Sequence, residues 1–253
     1  MKTLYIFFAI SISAALLTSC SSDKGKNTTV LVDISQSIKP EVLDWYLQTI
    51  ESDICANLTQ FDKIKVLLID GASQTASRVL LDLDLFEHKN EWDVMGLNAN
   101  ETDKLKKAAF AKFIHSKMLE LKAAIVEAKI HRQEVGNTTD IFGALEVATN
   151  NYDGDFNNSI VIMSDMEQYA DKCKMNPKGN ASEWLSQTAD IKFNNINKFS
   201  IAIVTGEQIG MTKAYYNEIS GYWTEFFNKK GVKNFSYQGA DASQLRQSFL
   251  ANN

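Results

Sequence analysis

The chain has 253 residues, 45% hydrophobic and 23% charged, a balance that excludes a disordered or collagen-like polypeptide. Lys and Arg total 26 against 31 Asp and Glu, a formal net charge of -5, so nucleic acid is excluded as a natural partner: phosphates demand a clustered cationic surplus. With 2 prolines and 12 glycines there is no composition for long linkers, and the length suits one core of sheet and helices.

Residues 1–19 have the form of an export signal. Lys2 gives the positive start, and Leu4 to Leu17 form an apolar run interrupted only by serines. That run is short of the ~20 residues a spanning helix needs and suits a signal h-region. It ends in Leu17-Thr18-Ser19-Cys20, which resembles the bacterial lipobox, whose cysteine is lipid-modified and becomes the new N-terminus. The alternative is an ordinary cleaved signal with Cys20 in the mature tail. Lipidation at Cys20 implies a membrane anchor, a tether over residues 20–28, and a domain over 29–253 facing the periplasm or the cell exterior. Of the two remaining cysteines, Cys55 lies in an apolar helical stretch, and the topology below puts Cys55 and Cys173 at opposite ends of the sheet, which argues against a disulfide.

The body alternates strands and helices. Thr29–Val32 is a first strand stopping at Asp33, and Pro40–Leu58 has helical spacing with Val42, Trp45, Tyr46, Thr49, Ile50 and Ile54 on one face. Ile64–Ile69 is a second strand. Val79–Leu85 is a third, reached through about eight residues, too few for a parallel crossover, so it pairs antiparallel at an edge. After an irregular stretch over 86–100, Thr102 to Glu134 is helical, with Phe110, Ile114, Met118, Leu121, Ile125 and Ala128 on one side. Its length predicts a break or a protruding end. A helix over Asp140–Asn150 leads to a fourth strand, Ser159–Ser164, ending at Asp165. A short helix around Glu183–Ala189 follows, then a fifth strand, Phe199–Thr205. A helix over Thr212–Lys230 burying Tyr216, Ile219, Trp223, Phe226 and Phe227 precedes a sixth strand, Val232–Tyr237, and a last helix over Ala242–Ala251. Near-continuous apolar strands between amphipathic helices mean a sheet covered on both faces. The fold class is therefore α/β: a doubly wound, Rossmann-like sandwich on a mostly parallel six-stranded sheet with one antiparallel edge strand, its site at the carboxyl ends of the strands.

Asp33-Ile34-Ser35-Gln36-Ser37 ends strand 1, Asp165 ends strand 4, and Thr139 opens the helix leading into strand 4. Strands 1 and 4 are neighbours at the switch point, so Asp33, Ser35, Ser37, Thr139 and Asp165 are expected at one rim. Three hydroxyls and two carboxylates form a hard oxygen set that suits Mg²⁺, Mn²⁺ or Ca²⁺ rather than zinc. A purely structural account is also open, with Ser37 and Thr139 as helix N-caps and the two aspartates bracing turns. The pattern resembles the metal-ion-dependent adhesion site of von Willebrand factor A-type domains: Asp-x-Ser-x-Ser after strand 1, a Thr in a later loop, and an Asp after strand 4. The segments Thr139–Leu145 and Ile160–Asp165 look like the family's own. Gln36 and Ile38 stand where Gly and Met are common, and Met166 where Gly is usual.

That resemblance implies direct metal ligation by Ser35, Ser37 and Thr139, with Asp33 and Asp165 acting largely through water. It also implies capture of a protein ligand through its Asp or Glu carboxylate. The shell lacks a general base or an activated nucleophile, which favours binding over catalysis. The other readings are a metal-dependent hydrolase or phosphatase of the envelope using the same rim, and a metal-free scaffold of an envelope complex. Leu80-Leu81-Asp82-Leu83-Asp84 mimics the Asp-x-Asp motif of haloacid-dehalogenase-like phosphatases, but Phe86 stands where Thr or Val is wanted, so these are expected to be exposed acids of an edge strand. His88, His115 and His131 are scattered without metal spacing. The aromatic run Tyr215, Tyr216, Tyr222, Trp223, Phe226 and Phe227 keeps helical period and belongs to the core.

Overall fold

The computed structural model describes residues 24–71, 73, 79–88, 99–132, 138–206 and 211–238, with backbone alone for 99–103 and 131–132. In chain order the elements are β1 (Lys26–Asp33), α1 (Pro40–Thr49), β2 (Lys63–Ile69), β3 (Val79–Asp84), α2 (Ala99–Arg132), α3 (Ile141–Thr149) and β4 (Asn157–Met163). They continue with β5 (Tyr169–Ala170), β6 (Cys173–Lys174), α4 (Ala181–Gln187), β7 (Ser200–Val204), α5 (Lys213–Lys229) and β8 (Asn234–Gln238). The main sheet has the order β3-β2-β1-β4-β7-β8. Neighbours pair in parallel except β2 with β3, which are antiparallel. This is the doubly wound α/β sheet with an antiparallel edge strand read from the sequence.

Alternation along buried strands builds two cores at once, because successive side chains face opposite layers. Val30, Val32, Val66 and Val161 face α1 and α2, meeting Tyr46, Ile50, Leu121 and Ile125. Leu31, Leu67, Ile160 and Ile162 face α3 and α5, meeting Phe142, Leu145, Trp223 and Phe227. The second layer is aromatic: Trp223 lies 5.3 Å from Phe142 and 5.5 Å from Phe226, centroid to centroid, in tilted and edge arrangements. Chain progression steps outward from β1 through β2 to β3, then returns to β4 and proceeds the other way. The switch therefore falls between β1 and β4, and a crevice opens above their carboxyl ends.

Several local expectations are adjusted. The helix starting at Pro40 is α-helical to Thr49, widens into a π turn over Ile50–Ile54 and tightens into a 3-10 turn over Cys55–Asn57. α2 is unbroken through 34 residues, about 50 Å, because Ala99–Arg132 contains neither Pro nor Gly. Its middle buries Phe113, Ile114, Met118, Leu121 and Ile125, whereas Lys104, Leu105, Lys107 and Ala108 near its start are exposed, so the end protrudes. α5 buries Tyr215 and Tyr222, while Tyr216 is half-buried and edge-on to Tyr237 at 6.0 Å. β1 begins at Lys26, where Lys26 N–H donates to Asp62 Oδ1 over 2.7 Å. The small β5–β6 hairpin has no counterpart in the sequence reading. Cys55 and Cys173 are both free and buried. The signal segment, Cys20, most of 86–100 and the helix over 242–251 lie outside the described residues.

Candidate metal centre

The loop after β1 is shaped by its own sequence. Ile34 and Ile38 are buried, pinning both ends, and Ile38 N–H donates to Ser35 O over 3.0 Å to close a turn. Asp33, fully buried, accepts from Ser35 N–H through Oδ1 at 2.7 Å, the local bond that makes Asp a turn former. The same hydrogen bonds leave Ser35 Oγ 2.8 Å from Ser37 Oγ. The hydroxyl of Ser37 in turn bonds the Asp165 carboxylate. Four of the five expected residues thus form one continuous chain of oxygens.

Thr139 reaches the same rim by its backbone. Its N–H donates to Tyr169 O (3.0 Å) and its carbonyl accepts from Tyr169 N–H (2.9 Å), just beyond Asp165. Its neighbour Asp140 donates N–H to Asp70 O, just beyond β2. The segment therefore bridges from the end of β2 to the chain beyond β4, across the end of β1 between them. Gly71 permits this closure, since a Cβ there would collide with Thr138 Oγ1. Thr139 is buried.

The capping account of the hydroxyls does not hold. α1 starts at N-cap Lys39 with no side-chain cap, Pro40 occupying its first turn. α3 is capped by Asp140, whose Oδ1 accepts from Gly143 N–H at 2.9 Å. Neither Ser37 nor Thr139 is spent on a helix end.

Electrostatics single this rim out. Burial is the main force pushing the Asp33 carboxyl up to about 6, and the neighbouring Asp165 charge pushes the same way against the hydrogen bonds from Ser164 and Ser35. Asp165 is also raised, chiefly by burial, against the hydrogen bonds from Ser37 and Glu167. The groups acting on Asp33 are an amide, hydroxyls and a second carboxylate, with no Lys, Arg or His among them. Two buried like charges at one rim are costly in the absence of a countercharge. A divalent cation is the species this donor set fits: hard oxygens, two of them anionic, with hydroxyls alongside. No three acid, His or Cys side chains converge among the described residues, so this is not a zinc-type cluster.

Sequence reasoning missed the residues that brace the site. Ser164, fully buried, donates its hydroxyl to Asp33 Oδ2 at 2.7 Å and accepts from Met166 N–H at 2.9 Å. Met166 has φ 64°, the left-handed region that a non-glycine residue enters at a cost of about 1–2 kcal/mol. Its fully buried side chain and the bond from Trp223 Nε1 to its carbonyl (2.9 Å) hold it there. Glu167 donates N–H to Asp165 Oδ1 and accepts the Tyr215 hydroxyl at 2.8 Å. Gln168 accepts from Ile141 N–H at 2.7 Å, tying the post-β4 loop to the Thr139 segment. The signal for Ser164 was a polar residue closing an otherwise apolar strand directly before Asp165.

The other sequence candidates are structural. Asp82 and Asp84 pair with Lys65 (2.8 Å) and Lys63 (3.2 Å) at the edge of the sheet. His115 Nδ1 lies 2.9 Å from Glu51 Oε1, and the His88 ring lies 6.0 Å from that of Phe113. The His131 side chain is outside the described residues.

No family model and no curated protein sequence matches the chain. Among solved structures, it is similar to the manganese-loaded TRAP protein of Plasmodium vivax, with 12% identity, a TM-score of 0.41, and coverage of 89% of this chain and 72% of that one. It is also similar to the N-terminal domain of TFIIH p34, with 11% identity, a TM-score of 0.36, and coverage of 92% and 100%.

Proposed function

We propose that the chain is an extracytoplasmic lipoprotein, anchored through Cys20, whose A-type domain binds a protein ligand through a divalent cation at the β1–β4 rim. The observation that carries this reading is the convergence of buried Asp33 and Asp165 with the Ser35 and Ser37 hydroxyls, where the groups acting on Asp33 include no cation. Ser35, Ser37 and Thr139 would hold the ion directly, with Asp33 and Asp165 orienting water around it. A dication bound largely by neutral hydroxyls supplies an electrophilic centre that takes a carboxylate from a partner.

The chain's own residues do the positioning. Asp33 fixes Ser35 through its N–H, Ser164 fixes Asp33, and the Met166–Gln168 loop fixes Asp165 relative to Thr139. The test is melting of the mature protein with EDTA, then with millimolar Mg²⁺ or Mn²⁺, beside Asp33→Ala. Preferential binding to the folded state should raise the wild-type transition and leave Asp33→Ala unmoved. Pull-down from envelope extract with and without EDTA then reads partner capture. Absence of any shift with Mg²⁺, Mn²⁺ or Ca²⁺ sinks the proposal. Membrane release of Cys20→Ala tests the anchor separately.

A further inference from the structure

α2 is apolar on two opposite sides. Its inner face, centred on Leu121 and Ile125, is buried in the core. On the diametrically opposite face Leu119, Val126 and Ile130 are 57%, 53% and 63% exposed, with Ala123 exposed between them. Spacings of four, three and four residues make these a continuous seam of heptad type, Leu119 and Val126 at d positions and Ala123 and Ile130 at a positions. Extended backwards the same register reaches Ser116, Lys112, Ala109 and Leu105, the last 44% exposed. A solvated helix face has no reason to carry such a seam.

The charges beside the seam identify its occupant. The e flank carries Glu120 and Glu127, and the g flank His115, Lys122 and Lys129. In a parallel two-stranded coiled coil each g residue faces the e residue five positions further along the partner, so Lys122 meets Glu127 and His115 meets Glu120, each twice by symmetry. An antiparallel pair would set g against g and e against e, lysine facing lysine and glutamate facing glutamate. A self-complementary seam of this kind is written for a second copy of the same helix in one orientation. The contacts to be exchanged are solvent-exposed ones of little worth: Lys122 Nζ stands 4.0 Å from Asp44, His115 Nδ1 2.9 Å from Glu51, and Glu120 3.1 Å from Lys117 Nζ on its own helix.

We infer that the outer face of α2 is a homodimer interface in which two copies pair in parallel through Leu119, Ala123, Val126 and Ile130. The seam's own residues are not those of the rim, although Lys129 Nζ beside them donates to Ile38 O, one residue beyond Ser37, at 3.3 Å. The test oxidises the whole chain carrying Leu119→Cys or Ile130→Cys under mild conditions, with the unsubstituted chain as control for Cys20, Cys55 and Cys173. Parallel pairing brings each residue against its own copy, so both variants should form covalent dimers well above the control. Sedimentation equilibrium at micromolar to submillimolar concentration should show a reversible dimer for the unsubstituted chain, lost in Val126→Lys, whose melting matches the unsubstituted chain at concentrations where both are monomeric, because the site is exposed. Cross-linking of only one variant means antiparallel pairing and overturns the inference. So does a monomer at all concentrations, or a dimer that survives Val126→Lys.

Discussion

The two ends of the sheet handle charge in opposite ways. At the amino end Lys63 pairs with Asp84 and Asp153, and Lys65 with Asp82, side chains that keep between 22% and 61% exposure. Opposite signs meet in reach of water, and the result is ordinary surface chemistry worth little in stability. At the carboxyl end Asp33 and Asp165 are buried, of the same sign, and mutually unfavourable. A fold that pairs opposite signs at one end brings like signs together at the other. That asymmetry is what the proposed cation would relieve.

The largest effect should come from the residue that holds the costly rim in shape. Met166→Ala removes a fully buried side chain and keeps the left-handed backbone penalty, for a loss of about 2–5 kcal/mol. Met166→Gly empties the same space but relieves the backbone, so it should be less damaging than Ala by about 1 kcal/mol. Denaturant titration of both variants reads the order, and the reverse order would mean that the backbone strain is not there.

Next comes pH. Because folding raises the Asp33 pKa from an ordinary 3.8 to about 6, the folded state binds this proton more tightly. The protonated group's contribution is fully present below about pH 4 and is lost as pH rises through about 6. The whole span amounts to about 3 kcal/mol at 1.36 kcal/mol per unit. In EDTA, Asp33→Asn should therefore gain on the wild type as pH rises from 4 to 7, read as the difference between their melting curves. Added Mn²⁺ should restore the wild type above pH 6 and leave the variant where it was. If wild type and variant run parallel across that range, the carboxyl is not held up by burial.

Smaller still is Thr139→Ala. Its hydroxyl caps no helix, so stability should change by less than about 1 kcal/mol. Metal-dependent stabilisation should fall sharply, because one of the proposed direct ligands is gone. Wild-type metal response in this variant would move the assignment to Thr138. The smallest effect belongs to the amino end: Asp153→Ala should cost under about 1 kcal/mol and less in high salt. A larger loss there would erase the contrast between the two rims.

How much of this was legible in the sequence depends on the range of the interaction. β1, β2, β4 and β7 were readable because both faces are buried and the strands are continuous apolar runs. The antiparallel pairing of β3 followed from a connection too short to cross over. Asp33 and Asp165 could be placed because each falls at the carboxyl end of a strand, Asp33 as the last residue of β1 and Asp165 two residues beyond β4. Ser164 was not assigned, since its role is a contact with Asp33 across 131 positions of sequence. The β5–β6 hairpin has two residues per strand, too short for any alternation to register. The left-handed Met166 had only an indirect signal, standing where Gly is usual in the family the motif resembles: propensity argues against that conformation for Met, and the aromatic layer around Trp223 overrides the preference.

β1 has a polarity with a further consequence. It enters the fold at the amino end of the sheet and delivers Asp33 to the other end, eight residues and about 25 Å away. In a chain held by Cys20, only Ser21 to Gly25 separate the lipid from the strand, a reach of about 17 Å at full extension. So short a leash presses the lysine–aspartate end towards the headgroups. In such a chain the Asp33–Asp165 rim would be turned outwards like the tip of a mast, where the proposed partner would meet it first.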